Sequence, residues 1–584
     1  MKGTRTAVEV AFVALLSVVS VLVVKDHQRD DSPTFDETYH LLAGAEYVLD
    51  GTFTANLEHP PLMKDLAGLS LVSSAVLPPS RFAPRDASPT GRFLPFLYAN
   101  RLPPDRMVAL GRRPFPWLLG LLVVVTYVAA RGLFGTPAAV LSATLIALEP
   151  GLVAHAGIIH TDVGAALTMT AAVVLAALSA RRCHVAWWAL AGVALGAALA
   201  TKFSAILLLP CVALSPLLDP GGADAPTAFP LRARLIRGLG GAALAAATAL
   251  AVVLAVYAWN LRNMSPEEAQ AAVRTFLATR DIPERTTGAL LRLSAISPSL
   301  GHYAAGLVSV AHLSLAGRGA NYFHGRVSDS PTAAYFPVAF AIKSTPSFLV
   351  LTGLLFLLGG RELVSRRCLS VLVPAGVLLA AAVTSSFNIG IRHLFPVYPL
   401  LAIAGAGVLA ARLPARAFAG AALALCIGSA ASLRASHPFE MCYFNSFVGG
   451  VDGGSRWLSD SNLDWGQDMK RLGDLLRESG WERDTTVVAY GGLATNYFMR
   501  GIRLLDPASP IMPGRYAVGA TIEAIGGSFV SNIEGAAAGA QVAELVRLLR
   551  SRGQRVSRVG SITIWELPPA VLLPPAPMPR SRQG

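Results

Sequence analysis

Cysteine is scarce and unpatterned in this chain. The five among 584 residues, Cys183, Cys211, Cys368, Cys426 and Cys442, show neither paired nor metal-ligand spacing, and four lie in or beside apolar runs. Neither a disulfide framework nor a zinc site follows from them. Charge is scarce too, at 15% against 53% hydrophobic residues, with a mean hydropathy of +0.51. That balance excludes an ordinary soluble domain. The first apolar run, Ala7 to Val24, ends in Val-Lys-Asp-His without a small-x-small cleavage pattern, which argues for an uncleaved anchor over a signal peptide. No internal repeat is visible, and the Asp-rich stretch from Asp460 to Asp468 lacks the Gly and closing Glu of a calcium-binding EF-hand loop.

What is present is a series of apolar runs of membrane-spanning length. After the anchor, spans are expected near 114–130, 137–150, 158–180, 185–200, 203–218, 238–258, 345–360, 369–386, 394–411 and 415–433, eleven in all. The net charge of +13 would suggest nucleic acid in a soluble protein. Here the arginines gather in short loops between apolar runs, such as Arg131, Arg181 with Arg182, and Arg361 with Arg366 and Arg367. In that position they set orientation and meet anionic lipid headgroups, so membrane lipids are the expected partners and nucleic acid is not. The distribution predicts a cytoplasmic N-terminus. The outside loops are then 25–113 and 259–344, and the C-terminus is outside as well.

Composition divides the chain into a membrane part, 1–433, a module over 434–567, and a proline-rich tail at 568–584 expected to be disordered. In the module, helical patterns at 467–479 and 541–552 alternate with strand patterns at 485–490, 515–521 and 556–566, which predicts a small α/β domain. The stretch 62–77 is apolar but interrupted by Lys64 and Asp65, as in an interfacial helix.

Polar residues able to do chemistry concentrate directly behind the anchor. Ser32 and Pro33 suit a helix start, which would place Asp36 and Glu37 in the first turn and His40 one turn on. Neighbours on a helix point about 100° apart, so one of the two acids at most faces a given cavity squarely. About twenty residues later come Glu58-His59-Pro60-Pro61-Leu62-Met63-Lys64, where two prolines fix the direction of Glu58 and His59. Asp162 stands at the outer end of a span, flanked by His155 and His160, which read as interfacial. Lys202, Lys343, Arg392 and His393 sit at outer helix ends. Each could snorkel to headgroups, but together they would form a cationic rim on the side that carries the acids. A departing phosphate needs such a rim, because negative charge grows on it.

An Asp-Glu pair just after a first membrane helix, followed by His-Pro-Pro-x-x-Lys, resembles the membrane glycosyltransferases of the protein O-mannosyltransferase and lipid A aminoarabinose transferase type, family 39-like, bacterial. The resemblance implies a C-type glycosyltransferase fold: an all-α polytopic membrane bundle of about eleven spans with its site at the outer membrane face, here followed by the small C-terminal α/β domain. It also implies transfer of a sugar from a polyprenyl-phosphate carrier to a hydroxyl acceptor, with inversion. Asp36 is the implied base, with Glu37 beside it to hydrogen-bond or steer and Asp162 a second acid nearby, and Glu58, His59 and Lys64 belong to a loop that contacts the lipid phosphate and sugar. Asn462-Leu463-Asp464-Trp465-Gly466-Gln467-Asp468 is similar to bacterial members of the group, with no role implied. The chain lacks the lumenal domain that eukaryotic mannosyltransferases insert, so the resemblance names neither mannose nor a protein acceptor over a lipid or glycan. No cofactor is required on this account, although Asp36, Glu58 and Asp162 could bind a divalent metal if they converge. A transporter or flippase is the competing class. The expected location is the bacterial cytoplasmic membrane.

Overall fold

The structure, a computed structural model, describes residues 2–84, 89–182, 184–218, 231–317, 321–491, 497–506 and 509–569. The four cysteines it describes are free. Cys183 and the tail from 570 onward lie outside the described residues.

Among the described residues, six helices are long and apolar enough to cross a membrane: Thr6–Gln28, Pro104–Phe134, Asp162–Ala180, Gly238–Asn260, Arg366–Thr384 and Ala415–Ser436. Two more reach that length only as bent pairs, Thr136–Ala147 with Pro150–Ala156 (61°) and Tyr335–Lys343 with Pro346–Glu362 (119°). Both breaks fall where proline opens the second piece, since its ring removes a backbone donor and disfavours helix at the residue before it. Val185–Leu199, Phe203–Leu217 and Val397–Arg412 are shorter apolar helices. Each of the eleven expected spans coincides with one of these, and by length and composition at most eight stand as crossing units. Val397–Arg412 is buried along most of its length, so its apolar residues meet protein more than lipid.

The C-terminal module holds a five-stranded sheet in the order Arg503–Leu504, Thr485–Val488, Gly514–Gly519, Ile562–Leu567 and Gln554–Val559. The first three strands are parallel, and the last two close the sheet as an antiparallel hairpin. The expected strand at 556–566 is thus two strands. The expected helices appear as Met469–Glu478 and Ala536–Arg552, and Ala520–Glu534 is an additional helix that the small-residue pattern concealed. The chain over 437–468 belongs as much to the membrane part as to the sheet: Phe444, Leu458 and Leu463 are buried in the same hydrophobic core as the membrane helices.

The segment behind the anchor corrects two expectations. The helix is Phe35–Ala45, capped by Thr34, whose N–H is accepted by Glu37 Oε2 at 2.7 Å. Ser32 does not cap it and instead donates to the carbonyl of Gly466 at 2.7 Å. The interfacial helix expected over 62–77 is the short helix Leu62–Leu69, and it is buried. Lys64 has no exposed surface because its ammonium is satisfied by the carbonyls of Asn56 (2.6 Å) and His59 (2.7 Å) and by the hydroxyl of Tyr47 (3.1 Å). Asp65 accepts from Asn260 at 3.0 Å. Compensated in this way, a buried cation is tolerated.

Phe35–Ala45 and Leu62–Leu69 cross at Gly44 and Gly68. A Cβ on Gly44 would stand 2.2 Å from the carbonyl oxygen of Lys64, and one on Gly68 would stand 2.0 Å from that of Gly44. Gly44→Ala is expected to cost about 1–3 kcal/mol through overpacking against backbone that cannot yield. Gly420→Ala, at a helix position with nothing within 4 Å, is expected to leave the melting temperature in detergent unchanged. Equal melting curves for the two variants would remove this crossing as a constraint on the site.

Candidate functional site

A cavity of about 640 Å³ lies behind the anchor, with Asp36, His40, Glu58, His59, His160, Lys202, Arg392 and His393 at its polar end. Its other walls are mainly apolar, with Phe203, Ile206, Leu207, Leu307, Val310, Leu378 and Ala382 among them and a few hydroxyls such as Ser204 and Ser314. Asp36, at the second position of its helix, keeps 31% of its side-chain surface open, and that surface faces the cavity. Asp162 has no exposed side-chain surface.

Asp162 is the hub of the polar end. Its Oδ1 accepts from Lys202 Nζ at 2.6 Å, and its Oδ2 lies 2.6 Å from His160 Nδ1 and 3.5 Å from Arg392 Nη1. Arg392 Nη1 also lies 3.0 Å from His160 Nε2 and 3.9 Å from Asp36 Oδ2. His160 thus stands between Arg392 and both carboxylates, its Nε2 3.5 Å from Asp36 Oδ2. His160, which read as interfacial, is therefore the joint between the two acids. Nothing in its local sequence distinguishes that role from the interfacial one.

Burial pushes the Asp36 carboxyl up, but His160 and the Arg392 guanidinium outweigh it and hold it at about 2. Burial, followed by the neighbouring cations and imidazoles, lowers His40 and His59 well below the ordinary histidine value. They are neutral donors and acceptors in the cavity wall.

Three of the residues picked from sequence stand apart. Glu37, adjacent to Asp36, faces away from the cavity and forms a two-pronged pair with Arg112 at 2.7 Å on both oxygens. Its Oε1 also takes the N–H of Ile159 at 2.9 Å, so Glu37 ties the helix of Asp36 to the residue before His160. Lys64 holds the His59-Pro60-Pro61 turn from behind and does not line the cavity. Lys343, expected in the cationic rim, is buried with its ammonium on the carbonyls of Met441 (3.0 Å) and Asn462 (2.5 Å), and it too lies off the cavity. Of the rim, Lys202, Arg392 and His393 reach it. Glu58 lines the cavity and is ion-paired with Arg280, a partner the sequence did not single out.

Asp36, Glu58 and Asp162 do not converge as a carboxylate cluster. The group with metal-ligand spacing among the described residues is His40, His59 and His160, whose nitrogens lie within 4.8 Å of one another. Imidazoles suit a divalent ion. Nε2 of His160, however, faces Arg392 Nη1 at 3.0 Å, so an ion on that nitrogen must displace Arg392.

Comparison with known proteins gives one family model and several similar solved structures. Residues 13–218, which contain Asp36, Glu58, His59, Asp162 and Lys202, match the model of the dolichyl-phosphate-mannose-protein mannosyltransferase family. The resemblance read from the two N-terminal motifs is shown over this region. No curated protein matches in sequence. Among solved structures, the chain is similar to ArnT from Cupriavidus metallidurans bound to undecaprenyl phosphate, at 12% identity and a TM-score of 0.47 over 95% of this chain and 98% of that one. It is also similar to the Archaeoglobus fulgidus oligosaccharyltransferase, at 12% identity and a TM-score of 0.42 over 84% of this chain and 64% of that one. A third is the protein O-mannosyltransferase Pmt1–Pmt2 complex of S. cerevisiae bound to the sugar donor, at 18% identity and a TM-score of 0.34 over 47% of this chain and 37% of that one.

The adjacent acids are expected to separate cleanly on mutation. Glu37→Gln takes the paired carboxylate from buried Arg112 and leaves its guanidinium on the carbonyls of Gln28, Asp31 and Ser32, a change that costs about 3–5 kcal/mol for a buried pair. It should appear as lost detergent-stable protein or a sharply lowered melting temperature. Asp36→Asn, on a carboxylate that faces the cavity, should leave the melting temperature near that of the parent. The reverse ranking would show that Glu37 is not the structural member of the pair.

Proposed function

We propose that the protein is a C-type glycosyltransferase that moves a sugar from a polyprenyl-phosphate carrier to a hydroxyl group at the outer face of a bacterial cytoplasmic membrane, inverting the anomeric carbon. The observation that carries this reading is the make-up of the cavity behind the anchor. An ionised acid and two cations share one end, and apolar walls lead away from them, as an isoprenoid phosphate would require. The family match over 13–218 supports a polyprenyl-phosphate sugar, with a hexose of the mannosyl type as the finer reading and a protein, lipid or glycan as the acceptor.

In the proposed step the acceptor oxygen attacks the anomeric carbon while the bond to the carrier phosphate breaks. The bonding pair leaves on the phosphate, and the acceptor proton passes to Asp36. Arg392 and Lys202 meet the charge growing on the phosphate, a preorganised arrangement that costs no reorganisation during the step. Arg392 has donor capacity for this, since its Nε has no hydrogen-bond partner among the described residues. A phosphate entering beside Arg392 draws the guanidinium's charge away from Asp36, 3.9 Å distant, and so raises the basicity of Asp36 as the donor binds. Neutral His40 and His59 are placed to hydrogen-bond the sugar. A transporter or flippase would leave the Asp36, His160 and Asp162 arrangement without a task.

Asp36→Asn keeps the shape of the side chain and removes the proton acceptor. Turnover of a radiolabelled polyprenyl-phosphate hexose in proteoliposomes is expected to fall about 10²- to 10⁴-fold, with donor binding retained. Full activity would end the reading of Asp36 as the base.

Orientation is checked separately. Phe35 N–H donates to the carbonyl of Trp465 at 3.0 Å, so the segment behind the anchor and the C-terminal module share one side of the membrane. A reporter fused after Leu567 should be active only if it functions outside the cytoplasm. Activity of a cytoplasm-only reporter at that junction would place the cavity on the inner face.

A further inference from the structure

The stretch from Ser459 to Gln467 begins more than twenty residues past the last membrane helix, which ends at Ser436, yet it reaches both halves of the cavity's polar end. Toward the N-terminal half, the N–H of Ser32 donates to the carbonyl of Gln467 (2.8 Å), its hydroxyl to that of Gly466 (2.7 Å), and the N–H of Phe35 to that of Trp465 (3.0 Å). These bonds hold the residues that lead into the helix of Asp36. Toward the other half, Asn462 Oδ1 accepts the N–H of Ile391 at 2.9 Å, and Ser461 donates its hydroxyl to the carbonyl of Ile389 at 2.7 Å. The fit is close: a Cβ on Gly390 would stand 2.3 Å from Ser461 Oγ. The stretch is anchored to its own module through Asp464, whose Oδ2 accepts the N–H of Thr521 at 3.0 Å.

Between these two grips lies the Trp465 indole, 2% exposed. The guanidinium carbon of Arg392 is 4.2 Å from its ring centre, and the His160 ring meets it edge-on at 5.1 Å and 63°. An indole face is the best of the aromatic platforms for a cation, and it is rigid enough to leave a guanidinium few orientations. Arg392 donates one nitrogen toward His160 and the two acids. Its guanidinium carbon stands over the Trp465 ring.

We infer that Trp465 is a positioning residue of the transfer site: it holds the guanidinium of Arg392 over the place of the leaving phosphate, and the stretch 459–467 registers that cation against the base. This rests on the transferase reading and gives the Asn-Leu-Asp-Trp-Gly-Gln-Asp motif its role. The C-terminal module is then part of the reaction centre and more than an appendage to the bundle.

The experiment uses the full chain in detergent and compares Trp465→Leu, Trp465→Phe, Arg392→Gln and the double variant Trp465→Leu/Arg392→Gln. Two readouts are taken: binding of decaprenyl phosphate as a probe, and kcat and KM for a polyprenyl-phosphate hexose. Trp465→Leu keeps an apolar side chain but removes the π face, and it should weaken probe binding and raise donor KM about 10- to 30-fold, the size of a desolvated cation–π contact. Trp465→Phe should recover most of that loss. The double variant should bind the probe no worse than Arg392→Gln alone, because the tryptophan acts through the arginine. Additive losses in the double variant, or a Trp465→Phe as impaired as Trp465→Leu, would overturn the inference and leave Trp465 as packing. Unchanged probe binding in a folded Trp465→Leu would do the same. A parent protein that binds the probe but transfers no sugar would sink the transferase reading, while the probe arm would still decide whether Trp465 holds Arg392.

Discussion

Asp162 is a carboxylate with no water to solvate it, and the rest of the site follows from that constraint. A buried charge is tolerated only if opposite charges and hydrogen-bond donors are brought to it. Lys202 and Arg392 supply the charge, from segments that follow Asp162 by tens and by hundreds of residues, and the His160 imidazole stands 2.6 Å from it, two residues away. Each of those groups is thereby held at one end of the cavity. Asp36 enters the same network from its edge, close enough to Arg392 to feel its charge and open enough to meet a substrate. The interactions that stabilise Asp162 are the ones that arrange the proposed chemistry.

Asp36 and Glu37 show how one turn of helix can divide two similar side chains between function and structure. Their directions differ by about 100°. One faces the cavity. The other is sealed under it with Arg112 and fastens the N-terminal helix to the backbone just before His160. Lys64 repeats the division within the second motif: Glu58 and His59 face the cavity, and Lys64 braces their turn from behind. In both motifs the residues that look most reactive in sequence include one whose work is to keep its neighbour in place.

Much of the architecture was legible before the fold was known. Long apolar runs separated by arginine loops pointed to a polytopic bundle, and each expected span has a helical counterpart, because length and hydropathy are local properties of the chain. The exceptions have local causes as well, such as the proline-opened second pieces at Pro150 and Pro346. The two motifs behind the anchor marked the cavity, and the composition change after the last apolar run marked an α/β module. The split of the final strand into a hairpin and the helix Ala520–Glu534 were missed, since small residues carry a weak periodic signal.

By itself, the sequence determined that the chain is a membrane protein, where its acids and cations are concentrated, and which known family its first third resembles. Tertiary structure decided which of those charges face the cavity. Lys202 and Lys343 look alike as cations at apolar helix ends, yet one meets Asp162 and the other is spent on two carbonyls under the module. His160 and Trp465 gave no sign of their place, because a histidine beside a span and a tryptophan in a polar loop have ordinary local explanations. Their importance lies in contacts with Arg392 made across 232 and 73 residues of chain (392 − 160 and 465 − 392), and such contacts are set by packing, where hydropathy and spacing carry no information.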